Sequence, residues 1–171
     1  MAQKIKAYTI RARFRNPVPD IDLLASDSEI LGIFFKKEDM NQFVIKHSVH
    51  KLYNEKNILL DRLIYELSEY FQGRLTIFSL PVILSGTPFQ NSVYKTLKNN
   101  VKYRKTISYK DLAALAGYEG AYRAVGSAMR INTLPIIIPC HRVVHADGSP
   151  GQYAGGSILK EFLINLESSK K

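Results

Sequence analysis

In the second half of the chain, Ile136-Ile137-Ile138-Pro139-Cys140-His141-Arg142-Val143-Val144 sets one thiol and one imidazole side by side between two apolar stretches. A lone cysteine in such a setting is ordinarily an inert small hydrophobe. The neighbours argue otherwise here. A thiol attacks only as thiolate, and His141 supplies a base beside it while Arg142 adds positive charge that favours the anion. An imidazole used this way needs an orienting partner, for which Glu167 is a chemically suitable carboxylate. Cys140 is the only cysteine. That excludes an internal disulfide, a Cys-rich zinc finger and a four-cysteine iron–sulfur cluster, and points to a reducing, intracellular setting. Cysteine hydrolases and peptidases use the same residue types but bring thiol and imidazole together from distant segments, and their local signatures are absent from this sequence.

The elements around these side chains must hold them. Ser85-Gly86-Thr87-Pro88 reads as a boundary dividing the chain into residues 1–86 and 87–171. After it, Thr87 caps a helix that has Pro88 in its first turn and runs through Phe89, Val93, Tyr94 and Leu97 to Asn99. Ser108 caps a helix over residues 109–116 that Gly117 ends, and residues 121–130 form the next: helix, tight turn, helix. Ala121, Ala124, Gly126, Ser127 and Ala128 keep the second of these slim. Small residues suit close packing on another helix as well as close approach to nucleic acid, and Arg123 and Arg130 tilt the reading to the latter. A last helix over 158–167, capped by Ser157, follows the glycine-rich stretch 148–156, which lacks the Gly-Lys-Ser/Thr ending of a phosphate cradle. In the first half, residues 6–14, 30–35 and 42–46 look like strands. Leu59, Leu60, Leu63, Ile64, Leu67, Tyr70 and Phe71 recur at helical spacing over 55–71, with Gly73 as the stop and an extended segment over 74–86.

Net charge is +9, and it is unevenly placed. Residues 1–86 hold 12 basic and 10 acidic side chains, whereas 87–171 hold 12 and 5, so the excess travels with the helix pair and the thiol. Such a concentration fits a nucleic-acid-binding surface and a solvated lysine-rich one equally well, and local motifs must decide between them. At 46% hydrophobic and 23% charged residues the composition is that of an ordinary globular chain. The apolar run 134–140 is interrupted by Pro135 and Pro139 and falls far short of the roughly 20 residues that cross a bilayer. The N-terminal stretch lacks the apolar core of a secretory signal, so no membrane partner is expected.

Pro139-Cys140-His141-Arg142-Val143 resembles the signature of the O6-alkylguanine-DNA alkyltransferases. Thr87-Pro88-Phe89-Gln90, Ser108-Tyr109 with Leu112-Ala113, Arg123-Ala124-Val125-Gly126 with Ala128-Met129, Asn132, Gly151-Gln152-Tyr153-Ala154-Gly155-Gly156 and Lys160-Glu161 resemble that family in order and spacing. The first half matches mainly through Tyr70-Phe71-Gln72-Gly73. The resemblance implies a small α/β N-terminal domain, ribonuclease H-like, and a mainly α C-terminal domain with a winged helix-turn-helix-like DNA-binding motif. It implies direct, irreversible, stoichiometric transfer of the alkyl group from O6-alkylguanine, and from O4-alkylthymine, in double-stranded DNA to Cys140 after base flipping. Arg123 is then the finger that fills the vacated stack, with Ala121, Ala124, Gly126, Ser127 and Arg130 facing the minor groove. Tyr109 crowds the target phosphate and its hydroxyl meets the charge developing on guanine, assisted by Lys160. His141 takes the thiol proton through a water, Glu167 orients the imidazole and Asn132 braces the turn. Pro135, Val143, Tyr153, Ala154 and Gly155 shape the substrate pocket. No cofactor and no metal are implied; His47, His50 and His145 do not read as a zinc site. A monomer is expected, cytoplasmic and nucleoid-associated, or nuclear in a eukaryote. The chain departs from the family pattern at Tyr94, where Trp is usual, at Val101-Lys102-Tyr103-Arg104, where many members have Pro and Gly, and at Ala154, where some have Ser. The alternative reading is a binder or regulator of alkylated DNA that performs no chemistry, against which the retained thiol argues.

Overall fold

The computed structural model describes residues 5–169, and the chain divides into two compact units, Met1–Leu84 and Ser85–Lys171.

The first unit is a four-stranded sheet in the order β3-β2-β1-β4, built from β1 (Ile5–Ala12), β2 (Ile21–Ala25), β3 (Ile30–Phe34) and β4 (Val49–Tyr53). β1 runs antiparallel to β2 and parallel to β4, and β2 is antiparallel to β3. Every residue of β2 and β3 is buried, so both faces of the sheet are covered there. Helix α1 (Lys37–Lys46) sets Met40 and Phe43 against Ala7, Leu24, Leu31 and Phe34. Helix α2 (Ile58–Phe71) packs on β1 and β2 with Leu60, Leu63, Leu67 and Tyr70 buried. Asn57 starts it, its side chain accepting from the backbone N–H of Leu59 and Leu60, and Gly73 ends it at φ +69°. Beyond it the chain lies along β3, with Ile30 donating to Pro81 and Ile83 donating to Ile30.

One strand expectation needs correction, and two strands, β2 and β4, lie outside the expected ones. Residues 42–46 are the second half of α1: Val44 and Ile45 look strand-like, but Met40 and Phe43 are buried one turn apart while Ile45 is 79% exposed. β2 was not anticipated because, covered on both faces, it shows no apolar–polar alternation. β4 was missed because it is short and mostly exposed.

In the second unit, Thr87 and Gln90 form a reciprocal capping box at the start of α3 (Pro88–Asn100). The short strand β5 (Ile107–Ser108) leads into α4 (Tyr109–Leu115), where Ser108 accepts from the Asp111 N–H. Gly117 and Gly120, at φ +82° and +81°, make the turn to α5 (Tyr122–Arg130). α5 buries Val125, Ala128 and Met129 and leaves Arg123, Ala124, Ser127 and Arg130 exposed. A 3₁₀ turn at Cys140–Arg142 passes into β6 (Val143–Val144), which pairs in parallel with β5. The turn from His145 to Ser149 then forms the wing beside the helix-turn-helix. The last helix, α6 (Ser157–Ser168), is not capped by Ser157. Gly156, at φ +86°, is the N-cap and Ser157 is already helical.

Candidate active site

Cys140 opens the 3₁₀ turn and is 3% exposed. The approach to it is strained. Ile136 has φ +75°, a left-handed conformation that costs a β-branched residue about 1–3 kcal/mol and is over-determined by its surroundings. Asn132, two residues past α5, supplies much of that determination. Its amide donates to the Ile138 carbonyl (3.0 Å) and to Cys140 Sγ (3.1 Å), and its oxygen accepts from the Leu134 N–H (3.0 Å). The turn is therefore tied at three points, one of them the sulfur.

His141 is fully buried, and its Nε2 lies 2.8 Å from Glu167 Oε1 across 26 residues of sequence. Arg142 grips the same carboxylate with Nε to Oε2 (2.9 Å) and Nη2 to Oε1 (3.0 Å), while its Nη1 donates to the Val101 carbonyl (2.7 Å). Burial alone would push the Glu167 carboxyl up, but hydrogen bonds from His141 and Arg142 outweigh it and hold the group down at about 2. Burial lowers the His141 imidazole despite Glu167, and pushes the thiol up to about 11, only partly relieved by Asn132 and by the charge of Lys160.

The cationic surroundings expected from Arg142 therefore do not serve the sulfur; its guanidinium is spent on Glu167. The resting site holds a neutral thiol, with on the order of one thiolate in ten thousand at pH 7. Ionisation must accompany attack, with a base ready and its carboxylate in place.

Lys160 is buried on α6, where Nζ donates to the Val143 carbonyl (2.7 Å) and sits 5.9 Å from the centre of the Tyr109 ring. Burial brings its ammonium down to about 8. Tyr109, first residue of α4, fits between α5 and the wing: a Cβ on Gly126 would just reach its ring, and one on Gly151 would collide with its hydroxyl. Tyr153 packs edge-on to His141, ring centres 6.4 Å apart. A thiolate at Cys140 would raise the pKa of Tyr94, Tyr109, Tyr153 and Lys160 alike, so the structure gathers them round one sulfur.

Pro135 and Val143 are buried in the same segment, Pro135 bridged to Ile138 and Val143 to Ile107. Ala154 and Gly155 are partly exposed before α6, and among the described contacts none ties them to Cys140. Tyr94 donates to the Ala128 carbonyl (2.8 Å) in the last turn of α5. An open cleft of about 760 Å³ is walled by Tyr109, Arg123, Gly126, Ser127 and Arg130, joined by His145. Ala121 is the N-cap of α5, and Ala124 is on its exposed face. His145 stacks obliquely on Tyr109 at 5.5 Å and His47 on Phe43 at 4.2 Å. Among the described residues no three His, Cys, Asp or Glu side chains come together as metal ligands.

Sequence reasoning passed over Arg142 as a partner of Glu167, Gly151 as the floor under Tyr109, and Arg104, whose backbone N–H donates to Glu167 Oε2 (3.3 Å). A glycine against a motif tyrosine carries a faint signal; a contact across 63 residues carries none.

A sheet unit followed by a helix-turn-helix unit with a buried thiol, imidazole and carboxylate defines a two-part DNA methyltransferase of the kind two family models describe. Residues 14–84 match "6-O-methylguanine DNA methyltransferase, ribonuclease-like domain" and residues 88–169 match "6-O-methylguanine DNA methyltransferase, DNA binding domain". The constitutive methylated-DNA–protein-cysteine methyltransferase of Bacillus subtilis is 36% identical over 152 residues, 88% of this chain and 90% of that one. Its counterpart from Methanosarcina barkeri is 46% identical over 104 residues, 61% of this chain and 65% of the relative. Mycobacterium tuberculosis OGT, solved in complex with DNA, superposes with a TM-score of 0.79 at 31% identity, covering 96% of this chain and 93% of that structure. The chain belongs to the 6-O-methylguanine DNA methyltransferase family.

Proposed function

We propose that this protein repairs DNA directly, moving the alkyl group of O6-alkylguanine, and of O4-alkylthymine, onto Cys140 in a single irreversible event. The observation that carries the reading is the pair of contacts from Asn132 to Cys140 Sγ and from His141 to Glu167, in the same unit as a cleft walled by Tyr109, Arg123 and Arg130.

An O6-alkyl carbon inside the duplex is out of a buried sulfur's reach, so the nucleotide leaves the stack, at a cost of a few kcal/mol. Arg123, exposed early in α5, fills the gap, and the slim Ala121, Ala124, Gly126 and Ser127 let the helix press into the minor groove while Arg130 meets the backbone. Tyr109 crowds the target phosphate. The flipped base lies among Pro135, Val143, Tyr153, Ala154 and Gly155. His141 takes the thiol proton through a water, and Glu167, ionised throughout, stabilises the imidazolium. The Sγ electron pair then forms a bond to the alkyl carbon as the carbon–oxygen bond breaks, its pair passing to guanine. The Tyr109 hydroxyl donates to that developing charge, and the Lys160 ammonium, 5.9 Å from the centre of the Tyr109 ring, adds positive charge beside it.

The product is a thioether, which offers no leaving group for exchange or hydrolysis. Each molecule therefore acts once, as a monomer on double-stranded DNA, in the cytoplasm among the nucleoid or in a nucleus. Among the described residues no helix is long and apolar enough to cross a membrane. Residues 87–171 carry the chemistry and 1–86 form the companion domain. A binder without chemistry is disfavoured because it would have no use for an imidazole–carboxylate relay behind a thiol. The test is intact mass after incubation with an O6-methylguanine duplex in excess. One methyl per protein is expected, none in Cys140→Ala, and that variant should keep its DNA affinity. Methyl transfer by Cys140→Ala, or many turnovers per molecule, would overturn the reading.

A further inference from the structure

Glu167 is the last residue but one of α6, and a helix end is a poor place from which to hold an imidazole. α6 ends at Ser168, with Ser169 as its C-cap and no basic residue in its own last turn. Its final carbonyls therefore lack helical partners, and the negative end of its dipole has no cation on the same element. Arg104, in the turn before β5, supplies what is missing. Its Nε donates to the Glu167 carbonyl (3.1 Å), its Nη2 to the Ser169 carbonyl (3.0 Å) and its backbone N–H to Glu167 Oε2 (3.3 Å). One residue thus holds both the main chain and the carboxylate of Glu167. The backbone pose needed to reach it is uncommon: φ at Arg104 is +69°, in the left-handed region that favours glycine. The guanidinium also lies 6.0 Å from the centre of the Tyr103 ring, which has the Arg142 guanidinium at 5.8 Å.

We propose that Arg104 is a positioning residue of the alkyl-transfer site, clamping the end of α6 so that the Glu167 carboxylate stays in the one orientation that serves His141. This rests on the reading of Cys140, His141 and Glu167 as the working relay. The groups facing His141 and Glu167 are Arg142 and Cys140 on the 3₁₀ turn, Lys160 on α6, Tyr153 before it, and Tyr103 and Arg104 before β5. Arg142 grips both carboxylate oxygens, whereas the bonds to the main-chain carbonyls at the end of α6 come from Arg104. Without Arg104 the terminal turn of α6 is free to unwind, and the carboxylate then follows the Arg142 guanidinium rather than the imidazole. His141 becomes a weaker base, and proton removal from the thiol falls increasingly to hydroxide.

The test is the single-turnover methyl-transfer rate as a function of pH for Arg104→Gly, Arg104→Lys and Glu167→Gln. Glycine suits the left-handed backbone, so a loss in Arg104→Gly cannot be laid to backbone strain; lysine keeps the charge but bonds only one carbonyl. We expect Arg104→Gly to lose about tenfold at neutral pH, the equivalent of one pKa unit in the base, with the rate climbing more steeply toward alkaline pH and DNA affinity unchanged. Arg104→Lys should fall between it and the wild type. A Glu167→Gln profile that is displaced while Arg104→Gly keeps the wild-type profile, or loses rate equally at every pH, would overturn the role of Arg104. A Glu167→Gln variant with unaltered rate and profile would instead overturn the relay. Should Arg104→Gly fold poorly, Arg104→Lys decides alone: a wild-type profile sinks the proposal and a displaced one supports it.

Discussion

A sulfur at about 11, an imidazole lowered by burial and a carboxylate at about 2 make a site that rests at neutral pH with its thiol protonated and its carboxylate ionised. Asn132 is the residue on which this poise turns. Replacing it with Ala removes the donor to Sγ and one of the two donors to the Ile138 carbonyl, and takes from the buried Leu134 N–H its side-chain acceptor. Unsatisfied buried groups cost about 1–3 kcal/mol each. Asn132→Ala should therefore unfold at lower denaturant concentration and carry a thiol harder to ionise, which thiol alkylation rates against pH would reveal. Glu167 makes a second demand. Its carboxyl is held below its ordinary 4.5 at about 2, so its contribution to stability is complete above 4.5 and drains away as pH falls toward 2. Acid titration of the folded protein should show this loss in that window. Glu167→Gln should be flatter there, and an equal acid slope in the two proteins would contradict the pairing.

Helix α5 has two faces: Val125, Ala128 and Met129 lock it to the unit while Arg123 is exposed at its start, its guanidinium 5.9 Å from the centre of the Tyr122 ring. Arg123→Ala should slow repair of duplex DNA far more than reaction with free O6-benzylguanine, because only the duplex has a vacated stack to fill. Equal losses on the two substrates would make Arg123 a residue of the fold. The four helices of this unit are legible in the sequence because local chemistry marks their ends: Thr87 and Ser108 as caps, Gly117 as breaker. The 26-residue stretch from Ile21 to Lys46 is harder to read. There β2 lacks alternation because it is buried on both faces, and α1 carries β-branched residues whose exposure only the tertiary packing decides. The same division holds for the site. Cys140 and His141 are neighbours in sequence and their chemistry can be read there, whereas the grips of Arg142 and Arg104 on Glu167 exist only once α6 folds back on the 3₁₀ turn. Arg142 shows the hazard of reading charge by adjacency, since it stands two residues from the sulfur and serves another group.

At the scale of the whole molecule the charge is partitioned as the work is, with 12 basic against 5 acidic residues in 87–171 and near balance before them. DNA binding should accordingly weaken steeply as salt rises, with log affinity falling linearly against log salt concentration by about 0.9 per phosphate neutralised. A flat dependence, read by fluorescence anisotropy at several ionic strengths, would remove the counterion argument. Because the Asn132 amide that contacts Sγ sits two residues beyond α5, the helix proposed to enter the groove, the sulfur is also a gauge of whether the molecule has been used. A methyl on Sγ occupies the lone pair and the space that Asn132 now uses. The alteration is thereby delivered to the foot of α5, and the spent protein should let go of undamaged DNA more readily than the fresh one. An expended molecule would then leave the genome to those still able to act, without any second protein to identify it.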